Sequence, residues 1–196
     1  MKIDFRALAL AAAALALPSA AFAHPDPHLF SGGAAAGLAH PFTGIDHILT
    51  MLAVGMWAGL LGGRARWLVP AAFVGVMSIG AVLGAAGVGL PAVEPAIATS
   101  IIVVGLLIAA SVRVPAAIAM MGVAAFALFH GHAHGAEMPA MAAPLAYGLG
   151  FVTATVMLHG IGLLAVYGLR PAPQLLRTAG ATIAVAGFVL LLPYVL

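Results

Sequence analysis

Six long apolar stretches divide this chain, and the only charged residue that falls inside one of them is Asp46. They run over Ile45–Gly62, Trp67–Leu90, Pro95–Val112, Val114–Gly131, Leu145–Leu169 and Thr178–Leu196. Hydrocarbon offers no partners for backbone N–H and C=O groups, so a chain crossing it must satisfy them internally, as a helix does. A spanning helix needs ~20 apolar residues, which each stretch approaches or exceeds. Charged residues make up 6% of the chain, against roughly a quarter in a soluble domain, so lipid must cover the outer surface. These features predict an all-α, polytopic membrane helix bundle of about six transmembrane helices.

Residues 1–23 have the layout of a secretory signal. Lys2 and Arg6 form a positive start, Ala7 to Leu17 an apolar run too short to span, and Ala21-Phe22-Ala23 a cleavage site. The remaining residues, 24–196, form one transmembrane domain. With the mature N-terminus outside, Arg64, Arg66, Arg113, Arg170 and Arg177 all fall on the cytoplasmic side, as the positive-inside rule requires. Asp26, Asp46, Glu94 and Glu137 fall outside. This sorting predicts a multi-pass membrane protein with its mature N-terminus on the outer, periplasmic side. Leu29 to Ala39 is too short to span and is followed by Pro41 and Gly44, which predicts a re-entrant or interfacial half-helix. Gly55, Gly59 and Gly63, and likewise Gly80 and Gly84, recur every four residues, a spacing that lets helices approach closely.

No cysteine is present, which excludes disulfides, thiolate metal sites and cysteine nucleophiles. No basic run suggests nucleic acid, and no phosphate-binding glycine loop suggests nucleotide hydrolysis. Ser78 and Ser100 lack the setting of a serine nucleophile, so the chain reads as no enzyme. Histidine carries the chemistry instead. His24, His28, His40, His47, His130, His132 and His134 map to outer helix ends or outer loops, and only His159 lies deep within a span. Cleavage after Ala23 would free the α-amine of His24 to chelate a divalent metal with its own imidazole.

The first cluster is His40-Pro41-Phe42-Thr43-Gly44-Ile45-Asp46-His47. A helix starting near Gly44 sets Asp46 and His47 in its first turn, and carboxylate beside imidazole suits a divalent first-row metal. Asp46 could equally cap that helix. The second cluster is His130-Gly131-His132-Ala133-His134-Gly135-Ala136-Glu137. His130 and His134 can share a helical face; His132 points elsewhere or belongs to a solvated loop. His159 offers either a helix–helix hydrogen bond or a transfer site between the outer cluster and the cytoplasm. The candidate metal ligands are therefore His24, His40, Asp46, His47, His130, His134, Glu137 and His159.

The motif His40-Pro41-x-x-Gly44-x-Asp46-His47, with His24-Pro25 before it and His130-Gly131-x-x-His134-Gly135-x-Glu137 after it, resembles the HupE/UreJ family over nearly the whole mature chain. The resemblance implies an inner-membrane permease that imports Ni²⁺ or Co²⁺ as transported substrate, with no tightly bound cofactor. It further implies a supply of metal to hydrogenase or urease maturation, and leaves room for a homo-oligomer and for metallocentre-assembly proteins as partners. A copper carrier, given the methionines, and a haem-binding membrane redox protein are the alternative functions.

Overall fold

The computed structural model describes residues 33–139 and 142–196. The expected signal segment and His24 lie outside the described residues. All regular structure among the described residues is helical. The helices are α1 (Gly33–Ala39), α2 (Ile45–Leu61), α3 (Ala65–Ala85), α4 (Val93–Ala109), α5 (Ala116–Ala136), α6 (Pro144–Leu163) and α7 (Pro173–Leu191). A π-helical turn at Leu164–Gly168 prolongs α6.

Four of these helices are long and apolar enough to cross a bilayer, or five if the bent pair α1–α2 is counted as one span. Helix α4 is apolar but has 17 residues, short of the ~20 that a perpendicular crossing needs. Length alone therefore does not reach the six spans expected from hydropathy.

The half-helix anticipated before the first span is present as α1. A 3₁₀ turn at His40–Phe42 follows it, and the chain then bends by 81° into α2. Pro41 causes the break, because it has no N–H for a continuing helix and its ring crowds the preceding turn. Thr43 seals the turn by donating its hydroxyl to the His40 carbonyl at 2.7 Å. Gly44, in extended conformation, is the N-cap of α2. Asp46 is thus not the capping residue but sits inside the first turn, where a carboxylate favours the positive end of the helix dipole.

Close contact between backbones holds the bundle together. A methyl group added at Gly131 would fall on the carbonyl oxygen of Met77, and one at Gly135 on that of Ala81. Gly80 and Gly84 meet the carbonyls of Leu128 and His132 in return, so α3 and α5 run parallel along a seam of four glycines. Gly55 and Gly162 knit α2 to α6 in the same way, and Gly37 and Gly150 knit α1 to α6. Helix α7 packs antiparallel on α4 through Gly105, Gly180 and Gly187. Lipid tails are as apolar as the side chains, so burial of apolar surface does not drive this association. Tight packing does, and small residues permit it. The recurring Gly55–Gly59 and Gly80–Gly84 spacings are such seams. Gly63 is not part of one: it follows α2 with φ +49°, beside Gly62 at φ +70°, in the turn to α3.

These pairings alternate the helix directions. The starts of α2, α4 and α6 and the ends of α3 and α5 therefore share one end of the bundle. Arg64, Arg66, Arg113, Arg170 and Arg177 all lie at the other end.

Candidate metal site

At the arginine-free end, the break between α1 and α2 aims two histidines at the last turn of α5. His40 comes from the 3₁₀ turn, His47 from the first turn of α2, His134 from the end of α5 and Glu137 from just beyond it. Each offers a donor atom, and the four atoms lie within 4.8 Å of one another. His134 is central, its ring edge-on to His47 at 4.1 Å and to His40 at 4.9 Å between centroids. It is 1% exposed, and neither ring nitrogen has a protein hydrogen-bond partner. Burying unpaired imidazole nitrogens is costly, so a site that gathers them fits a ligand that uses their lone pairs. Glu137 is the exposed member, with Oε2 3.4 Å from His40 Nε2.

The surroundings favour a cation. The C-terminal end of α5 presents its partial negative charge there, and Glu137 adds a full one. Asp46 lies outside the converging four and acts on one of them. Its Oδ2 is 2.9 Å from His47 Nδ1, but the ring N–H is not aligned on it. The two residues are sequence neighbours, and adjacent helical positions do not face each other. At that distance the carboxylate acts on the ring by its charge, which favours a cation at His47 and leaves Nε2 free for a metal. Gly44 makes room for it, because a methyl group at that position would sit 2.6 Å from Asp46 Oδ1.

The two other candidate histidines among the described residues stand apart from this group. His130 is fully buried, with its ring 5.9 Å from that of His47. Ser100 Oγ gives its proton to the Ile97 carbonyl at 2.6 Å and so must accept from His130 Nε2 at 3.1 Å. That assigns the Nε2–H tautomer and leaves a lone pair on Nδ1, which has no protein partner. His159 is 3% exposed, and neither of its ring nitrogens has a partner, so it makes no helix–helix hydrogen bond. Phe73 stands against both rings, 5.7 Å from His130 and 5.1 Å from His159.

The second histidine tract is helical, with His130 and His134 on one face. Helix α5 continues to Ala136, and all three of its histidines are buried. His132, far from being solvated, turns away from the other two and contacts the Val88 carbonyl at 2.6 Å. Sequence reasoning missed Phe73, Phe151 and Ser100. Phe151, whose ring packs on His134 at 4.0 Å, and Phe73 are indistinguishable from core aromatics in the sequence. Ser100 carried a weak signal, as a hydroxyl inside an apolar helix.

The HupE / UreJ protein family model matches residues 11–190. This chain belongs to the HupE/UreJ family. Among curated proteins, Protein HupE of Rhizobium leguminosarum bv. viciae is 51% identical over 181 residues, covering 91% of this chain and 94% of that protein. No solved structure matches. HupE/UreJ proteins are membrane proteins of nickel/cobalt transporter type.

Proposed function

We propose that the chain is an inner-membrane permease that captures periplasmic Ni²⁺, or Co²⁺, at His40, His47, His134 and Glu137 and passes it inward by way of His130 and His159. The observation that carries this reading is the convergence of three imidazoles and a carboxylate, drawn from three separate segments, at one end of an apolar bundle. Nitrogen donors with one or two carboxylates suit late first-row dications better than Mg²⁺ or Ca²⁺, which prefer all-oxygen shells. Membership of the family supports nickel or cobalt as the cargo and hydrogenase or urease maturation as its destination. The five arginines at the far end support a cytoplasmic exit.

The test is uptake of labelled Ni²⁺ into cells expressing the wild type, with Co²⁺, Cu²⁺ or Mg²⁺ as competitor. Competition by Co²⁺ but not by Mg²⁺ is expected. Equal inhibition by Mg²⁺ would contradict nitrogen ligation, and inhibition by copper alone would favour a copper carrier.

Acidity supplies a second check. A protonated imidazole has no lone pair to give, and metal competes with protons for it. Uptake is therefore expected to fall as pH drops across the histidine range, about 8 to 5. A flat profile would count against imidazole capture.

A further inference from the structure

Helices α3 and α6 stand slightly apart, and two apolar grooves, each half open to the outside of the bundle, lie between them. One, of about 470 Å³, is bordered by Met77, Ala81, His134, Tyr147 and Phe151 and belongs to the end of the bundle that holds the four-ligand cluster. The other, of about 480 Å³, is bordered by His159, Gly160, Val74, Pro70 and Arg66 and so reaches the arginine end. No residue lines both. Along α3 the break between them falls at Val76, after Gly75 and before Met77, about one turn from Phe73, which lines neither. That side chain is 0% exposed, and its ring packs against both His130 and His159.

We infer that Phe73 is the gate and selectivity plug between an outer imidazole station, His130, and an inner one, His159. The inference rests on the permease reading. An apolar constriction excludes water and blocks a hydrated ion without any charge of its own. A dication at His130 meets an aromatic ring where its next ligands would be. It advances only when the ring swings aside and only after exchanging waters for imidazole. Nickel and cobalt accept that exchange, since nitrogen replaces oxygen readily in their shells. Mg²⁺, which sheds water reluctantly, and Mn²⁺, which gains least from imidazole in place of oxygen, are turned back. His159, with both nitrogens unpartnered beyond the ring, is placed to accept the ion. Ser100 complements this arrangement by holding the His130 Nδ1 lone pair free.

The experiment reconstitutes the full chain in vesicles loaded with a metal-sensitive dye and measures Ni²⁺ and Mn²⁺ flux. The variants are F73A, F73L and F73W, with H47A alongside, and Ni²⁺ binding to each is measured in detergent. Removing the plug in F73A is expected to raise Mn²⁺ flux roughly ten-fold, while enlarging it in F73W is expected to lower Ni²⁺ flux by about the same factor. Ni²⁺ binding in both should stay near the wild-type value, and F73L should behave as wild type. F73W keeps the space filled, so it decides the question even if F73A does not insert, and F73L controls for a change of side chain that keeps the plug. Wild-type fluxes of both ions in F73A and F73W, with H47A inactive, would overturn the gate and leave the permease reading standing. Undiminished Ni²⁺ flux in H47A would overturn both.

Discussion

Purified protein carrying His134→Ala is expected to bind Ni²⁺ at least ~100-fold more weakly than the wild type, since even groups that merely orient a metal ligand are worth about 10–100-fold. His134 is the hub of the cluster. Its ring is the one that both His40 and His47 face, at 4.9 and 4.1 Å, and its two nitrogens are committed to no other protein group. Alanine removes a donor and leaves the remaining imidazoles without the surface that holds them in register. Asp46→Asn keeps the shape but removes the charge beside His47, and a loss of about 10–100-fold is expected. His132→Ala, two residues from His134 in the same tract, should leave affinity within about two-fold, because that ring faces the Val88 carbonyl. Calorimetric titration in detergent reads all three. Equal losses for His132→Ala and His134→Ala would mean that the tract binds as a flexible histidine-rich chain, not as a built site.

The largest effect on stability is expected at Gly131. Its added methyl group in Gly131→Ala would land on the Met77 backbone, which cannot rotate away as a side chain tip can. Relief requires α3 and α5 to separate, and that loosens the contacts of Gly80, Gly84 and Gly135 at the same time. Overpacking a core usually costs about 1–3 kcal/mol; a rigid backbone clash that breaks a whole seam should exceed that range and remove most of the folded protein. Metal binding would fail with it, since His130, His132 and His134 all ride on this stretch of α5. Gly75→Ala and Gly122→Ala supply the contrast. A methyl group at either position meets nothing within 4 Å, so both should match the wild type or gain slightly from helix propensity. Melting curves in detergent distinguish the cases, and a Gly131→Ala protein as heat-stable as Gly75→Ala would refute this packing.

Apolar run length foretold the helices well because lipid allows few other structures. Their ends were less legible, because apolarity and helicity are different properties. The second stretch is apolar to Leu90, yet α3 stops at Ala85, and the chain turns at Gly87 with φ +72°. By apolarity the fourth ends where its histidines begin, yet α5 continues through them and buries all three, with Gly131 and Gly135 packed on α3. The sixth begins at Pro173 rather than Thr178, since Arg177 is accommodated within the helix and proline suits its first turn.

The motif spacing placed His47 and Asp46 together, because four residues or fewer fix local geometry. It could not say that Asp46 would lie beside His47 and outside the four converging donors. Nor could it say that His40 and His134, far apart in the chain, would meet. Those outcomes depend on the kink at Pro41 and on the parallel glycine seams that set the height of α5 and α6 against α2. Phe73 was invisible for the same reason, since only its neighbours distinguish it from a core residue.

X-ray absorption at the nickel edge, on the purified full-length chain with one equivalent of Ni²⁺, bears most directly on the cluster. A shell containing three imidazoles and carboxylate oxygen, reduced by one imidazole in His134→Ala, is the predicted result. A shell of oxygen alone, or one imidazole that survives the loss of His134, would contradict it.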